Sequence, residues 1–112
     1  MKKEVAEKWI ADLRANPDLQ GKGYLEHNDK YCCLGRLCVV LDMPLPDDKL
    51  VLSDHEVIAA GMYSKVGRLP HRFPSKNYEN DNQEFGWLSE LNDNGYSFAE
   101  IADIIEKYWE AI

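Results

Sequence analysis

The densest apolar stretch of the chain is Tyr31-Cys32-Cys33-Leu34-Gly35-Arg36-Leu37-Cys38-Val39-Val40-Leu41, set between two polar, turn-rich segments. Within it Leu34, Leu37, Cys38 and Leu41 fall at i, i+3, i+4 and i+7, the spacing of one buried helix face. Cys33 and Val40 widen that stripe, as expected of a helix covered on several sides. Tyr31 and Cys32 follow the His27-Asn28-Asp29 turn signal and read as the end of a strand that turns directly into this helix. Gly35 leaves room for another element to approach closely. Asp42 ends the apolar run, and Pro44 and Pro46 forbid its continuation.

The same patterning predicts the other elements. Lys2 to Ala15 is a helix with Val5, Ala6, Trp9, Ile10 and Leu13 on its apolar face, ended by Asn16-Pro17. Gln20-Gly21-Lys22-Gly23 is a turn, and short strands around His27-Asn28-Asp29-Lys30 make a β-hairpin. Pro44 to Leu52 is a loop. Ser53-Asp54-His55-Glu56 carries the capping-box pattern and opens a short helix that ends near Gly61. Met62 to Asn82 is the least regular part, with Gly67, Pro70 and Pro74 as breakers and Tyr63, Phe73 and Tyr78 interleaved with bases. Glu84 to Leu91 reads as a helix through Phe85, Leu88 and Leu91, and Asn92-Asp93-Asn94-Gly95 as a turn. A second capping box, Ser97-Phe98-Ala99-Glu100, starts a final helix that runs to about Trp109, with Tyr96 placed to staple onto Ile101.

These elements add up to an α+β, mainly helical single globular domain over residues 1–112, with about four helices and a small β-hairpin. Its expected core is Trp9, Leu34, Leu37, Cys38, Leu41, Leu88, Leu91, Phe98, Ile101 and Ile105. A chain of 112 residues, 45% hydrophobic and 29% charged, is long enough for one core without covalent staples. No apolar run approaches the roughly 20 residues of a membrane span, and the amphipathic start is unlike a signal peptide. An odd number of cysteines, two of them adjacent, argues against a disulfide framework and for a reducing cytosol.

Charge changes the picture more than composition does. The net charge is −7, but from Asn77 to Ile112 nine carboxylates face one base, Lys107, so that segment carries −8 and residues 1–76 carry +1. Between Glu56 and Glu79 there is no acid, while Lys65, Arg68, Arg72 and Lys76 are present. A basic middle loop therefore abuts an acidic final third, a distribution that disfavours direct nucleic-acid binding and favours basic protein partners.

Two candidate surfaces follow. Glu100, Asp103 and Glu106 on the outer face of the last helix are candidates for docking a host protein with a basic surface. Lys65, Arg68, His71 and Arg72 are candidates for gripping a phosphate or carboxylate of a small anionic ligand. Against the second stands a plainer reading, a solvated loop whose bases pair with the acidic third.

Other chemistry is weaker. Zinc sites offer ligand pairs two to four residues apart, which neither Cys32, Cys33 and Cys38 nor the scattered His27, His55 and His71 provide. Buried cysteines pack as small hydrophobes, and that is their expected role here. Cys32 is the best nucleophile on offer, but no signature joins it to a base. The Gly-Lys-Gly turn lacks the remaining glycine and the Ser/Thr of a phosphate-binding loop. No catalytic residue, metal site or cofactor is assigned.

Trp9, Gln20-Gly21-Lys22-Gly23-Tyr24-Leu25, Tyr31-Cys32-Cys33-Leu34-Gly35-Arg36-Leu37-Cys38 and the block from Leu91-Asn92-Asp93 through Ser97-Phe98-Ala99-Glu100-Ile101-Ala102-Asp103 together span nearly the whole chain. In these blocks the sequence resembles a family of small uncharacterised proteins common in bacteriophages and prophages. Arg36 departs from the small apolar residue expected at its position. The resemblance implies an origin and an action on a host component, and supplies no catalytic residues. The resulting expectation is a small acidic protein of phage or prophage type, in the bacterial host cytosol, that binds and modulates or inhibits a host protein such as a nucleic-acid-binding or defence component. The alternative is a binder, or sponge, of a small anionic nucleotide through the basic loop 65–76.

Overall fold

A computed structural model describes residues 1–77 and 83–112. The chain begins with α1 (Lys3–Ala15), whose buried positions are Ala6, Trp9, Ile10 and Leu13. A 3-10 turn at Pro17–Leu19 leads to β1 (Glu26–His27) and β2 (Lys30–Tyr31), an antiparallel hairpin pairing Glu26 with Tyr31. Asn28 and Asp29 both take positive φ, 53° and 64°, as a two-residue turn that matches the strand twist requires. Cys32 then caps α2 (Cys33–Val40), which buries every residue from Cys33 to Cys38.

The close approach at Gly35 is severe. A Cβ there would lie 1.7 Å from the Leu25 carbonyl oxygen, so the segment before the hairpin runs directly over the helix backbone. The end of α2 is a Schellman motif: Asp42 sits at φ 54°, and the Met43 N–H donates to the Cys38 carbonyl at 3.0 Å. In α3 (Asp54–Ala60) the Glu56 carboxylate reaches back to the Ser53 N–H at 2.8 Å, and Gly61, at φ 69°, closes the other end.

The chain continues through β3 (Arg68–Pro74), β4 (Glu84–Trp87), α4 (Leu88–Asp93) and α5 (Phe98–Tyr108), with a last 3-10 turn at Trp109–Ala111. The Ser97–Glu100 capping box forms as the sequence predicts. Helix α1 packs between α5 and α2, and α4 packs on α2. Trp9 is fully buried at this junction, and its indole N–H donates to the Cys33 carbonyl at 2.8 Å.

The architecture is α+β, with five α-helices among the described residues and two antiparallel sheets of two strands each. Three expectations need correction. The irregular stretch 62–82 contains β3, whose prolines lie on a two-stranded ribbon where unpaired edge groups are tolerated. The helix placed at Glu84–Leu91 is a strand to Trp87 and a helix only from Leu88. The period-2 pair Phe85 and Trp87 sits beside Leu88 and Leu91, so the two periods overlap and short-range spacing misleads. The mainly helical α+β class stands, with five helices among the described residues where about four were expected. Leu41 is half-buried, because the Schellman turn lifts it to the edge of the core. Tyr78, one of the aromatics interleaved with the bases of the middle loop, lies outside the described residues.

Candidate functional site

An open groove lies along the second sheet. Arg68 pairs with Trp87 and Phe73 with Phe85, so β3 advances five residues where β4 advances two. A bulge of this kind bends a strand and re-aims its side chains. His71 and Arg72, together with Arg68, line the open groove of about 780 Å³. Glu84, Trp87 and Glu90 line the groove with them.

The support beneath is apolar. Leu69 is buried, Phe73 packs edge-on to Tyr108 of α5 at 6.2 Å, and His71 meets the same ring at 5.4 Å. Gly86 brings no side chain to β4, and a Cβ at that position would lie 3.7 Å from Arg72 Cγ, so the arginine stem crosses the strand there. Trp87 stays 40% exposed, an apolar face offered to solvent among the charged residues of the groove. Among the described residues neither Arg68 nor Arg72 has a carboxylate within 4.0 Å, and neither Glu84 nor Glu90 has a cationic partner. The four charges share one concavity without neutralising one another.

Of the four bases expected to act together, the structure unites three. Lys65 stands apart, paired with Asp54 of α3 at 3.3 Å. Lys76 donates to Glu100 and lies over the Tyr96 ring at 4.7 Å. That pair draws the Glu100 carboxyl below its usual range, first through the Lys76 hydrogen bond and then through the Ser97 N–H. The plainer reading of the loop thus holds for Lys76 and not for Arg68 or Arg72 among the described residues. Sequence reasoning missed Trp87, Glu84 and Glu90 as groove residues, although the Phe85-Gly86-Trp87 alternation was the signal available.

The acidic candidates lie together on α5 but are engaged within the chain. Arg14 of α1 donates to Asp103 at 2.8 Å and to Glu106 at 3.3 Å. The Asp103 and Glu106 side chains remain 72% and 62% exposed, so the face is open to a partner even though part of its charge is matched.

Other candidates resolve into structure. Cys32, Cys33 and Cys38 are all buried and free. Burial raises all three thiols; for Cys38, with the nearby charges of Glu56 and Cys32 adding to it, to about 12. A thiol so held is protonated at neutral pH and a poor nucleophile. Among the described residues no group of three His, Cys, Asp or Glu is arranged to hold a metal. In the Gly-Lys-Gly turn the Gly23 N–H is spent on Asp93 Oδ1 at 3.0 Å and the Gly21 N–H on the Tyr31 carbonyl at 2.7 Å.

Asn92, expected in a turn, lies in the last turn of α4 and is fully buried. Its Oδ1 accepts from the Cys33 N–H at 3.1 Å and from Gln20 Nε2 at 3.0 Å, and its Nδ2 donates to the Gly21 carbonyl at 2.8 Å. Gln20 in turn accepts the Phe98 N–H at 3.0 Å, so one amide pair joins the first loop, α2, α4 and the start of α5. Arg36, the residue out of pattern in the apolar hub, makes a two-point ion pair with Asp12 of α1 at 2.6 and 2.8 Å.

No helix among the described residues is long and apolar enough to cross a membrane. No curated protein and no solved structure matches the chain. A family model does match, over residues 1–109, and the chain belongs to that family, described as a domain of unknown function (DUF8296).

Proposed function

We propose that this protein captures a small anionic ligand of nucleotide type in the groove between β3 and β4. The observation that carries the reading is the convergence of Arg68, His71 and Arg72 with the exposed Trp87 indole around a ligand-sized concavity, both guanidinia without an acidic partner among the described residues. Arginine forks match phosphate oxygens at two points, and an exposed indole stacks on an aromatic base. Pockets for such ligands span roughly 300–1,000 Å³. A melting experiment tests this. A nucleoside monophosphate added at about 100 times its Kd is expected to stabilise the parent by about 2.7 kcal/mol. Arg68→Ala with Arg72→Ala is expected to lose that gain while folding normally. A parent whose melting temperature responds to no nucleotide and to no inorganic phosphate rules the proposal out.

The exposed carboxylates of α5 favour a second reading. In it, a small acidic protein of phage or prophage type, working in the bacterial cytosol, binds and inhibits a host protein of basic surface. The segment charge of −8 would speed such an encounter at low salt. Reversing Glu100, Asp103 and Glu106 to lysine is expected to abolish capture of that partner at low salt. Unchanged capture by the triple variant eliminates this reading and leaves the groove proposal untouched.

A further inference from the structure

The groove is lined by charges of both signs, and that narrows its ligand. Resting on the groove reading above, we infer that it selects a guanine nucleotide: Arg68 and Arg72 take the phosphate, Trp87 stacks the base, and the Glu90 carboxylate accepts the paired N–H donors of the guanine edge. A groove meant for a bare anion gains nothing from two carboxylates, which repel the ligand. Glu84 and Glu90 nevertheless line this one, with no cation within 4.0 Å among the described residues. The ligand that suits both signs of charge carries a negative group together with a set of N–H donors.

Position favours Glu90 over Glu84 as the acceptor. Trp87 is the residue before α4 and Glu90 stands three residues on, in the first turn of that helix, and both line the groove. Glu90 is also half-buried where Glu84 is exposed, and a partly desolvated carboxylate discriminates more strongly between a donor and an acceptor placed against it. Guanine sets two donors, N1–H and the 2-amino group, side by side, as a carboxylate's two oxygens require. Adenine and cytosine place a ring acceptor next to their amino group, and uracil flanks its single N–H with two carbonyls. Each of those would direct a lone pair at Glu90.

The test is titration calorimetry of the full chain, at low salt, with GMP, AMP, UMP and inorganic phosphate. The expected result is that GMP binds more tightly than AMP and UMP by about tenfold or more, the scale of a charge-assisted hydrogen bond gained or lost. Glu90→Gln is expected to erase that preference while keeping phosphate-dependent binding and an unchanged melting temperature, whereas Glu84→Gln keeps it. Equal binding of all three nucleotides overturns the guanine inference and leaves the anion groove standing. Loss of the preference in Glu84→Gln alone overturns the role given to Glu90. No binding of any nucleotide or of phosphate removes the inference together with the reading beneath it.

Discussion

Asn92 shows how one side chain can hold a fold that hydrophobic patterning only sketches. It is 0% exposed, and its amide engages the Cys33 N–H, the Gly21 carbonyl and Gln20. A buried donor or acceptor left without its partner costs about 1–3 kcal/mol. Replacing Asn92 with Ala strips partners from at least two such groups, so a loss of about 3 kcal/mol in urea unfolding is expected. A loss below about 1 kcal/mol would mean that the groups find other partners. Arg36 works the same way with charge. Its side chain and that of Asp12 are only 10% and 16% exposed, so the pair is worth making where a surface pair contributes little. Burying a base in the apolar hub is tolerable only because α1 supplies the acid.

Among the elements, α2 sets the tightest constraint. Leu25 passes over its backbone so closely that any side chain at Gly35 meets main chain, not a movable side chain. In an exposed helix Gly→Ala gains up to about 1 kcal/mol. Here Gly35→Ala is expected to destabilise by about 3 kcal/mol or more, because the backbone must shift to admit the methyl group. Thermal melting of the variant checks the sign as well as the size. The β3–β4 ribbon is the opposite case, built for display. Its bulge gives up ladder pairing between Arg68 and Phe73, and His71 and Arg72, which line the groove, lie in that stretch.

At the scale of the whole molecule, charge and burial are sorted into separate regions. The acidic surface of α5 is tied back to α1 through Arg14 and to the chain before β4 through Lys76, which limits self-repulsion in a protein of net charge −7. The three thiols lie in the dry interior, and this has a pH consequence with a definite sign. Burial raises their folded-state pKa values above the ordinary 9.0, that of Cys38 to about 12. The folded state therefore keeps protons that the unfolded chain releases. The stability tied to these thiols is intact below pH 9 and is lost as the pH rises from there toward 12. Urea midpoints measured from neutral pH upward should fall above pH 9, and less steeply in Cys38→Ala. In the same frame a thiol reagent should label none of the three quickly at neutral pH, and all three once the chain is unfolded; rapid native labelling would contradict the burial of the sulfurs.

Much of this was legible in one dimension. Leu34, Leu37 and Cys38 announce a buried helix face, Ser53–Glu56 and Ser97–Glu100 announce two helix starts, and Asn28-Asp29 announces a hairpin, because each depends on neighbours within a few residues. The charge segregation and the basic cluster at Arg68, His71 and Arg72 were also plain, since charge needs no fold to be counted. What only the tertiary structure decided was how distant residues meet. Asn92 reads as a turn residue until Gln20 and Cys33 arrive from about 60–70 positions away. Arg36 looks misplaced until α1 brings Asp12, and Gly35 looks optional until Leu25 crosses it. The groove itself depends on pairing Arg68 with Trp87, a long-range register that local spacing cannot encode. Local propensity is written in the order of residues, while a site made from two strands and a helix exists only after those elements have packed.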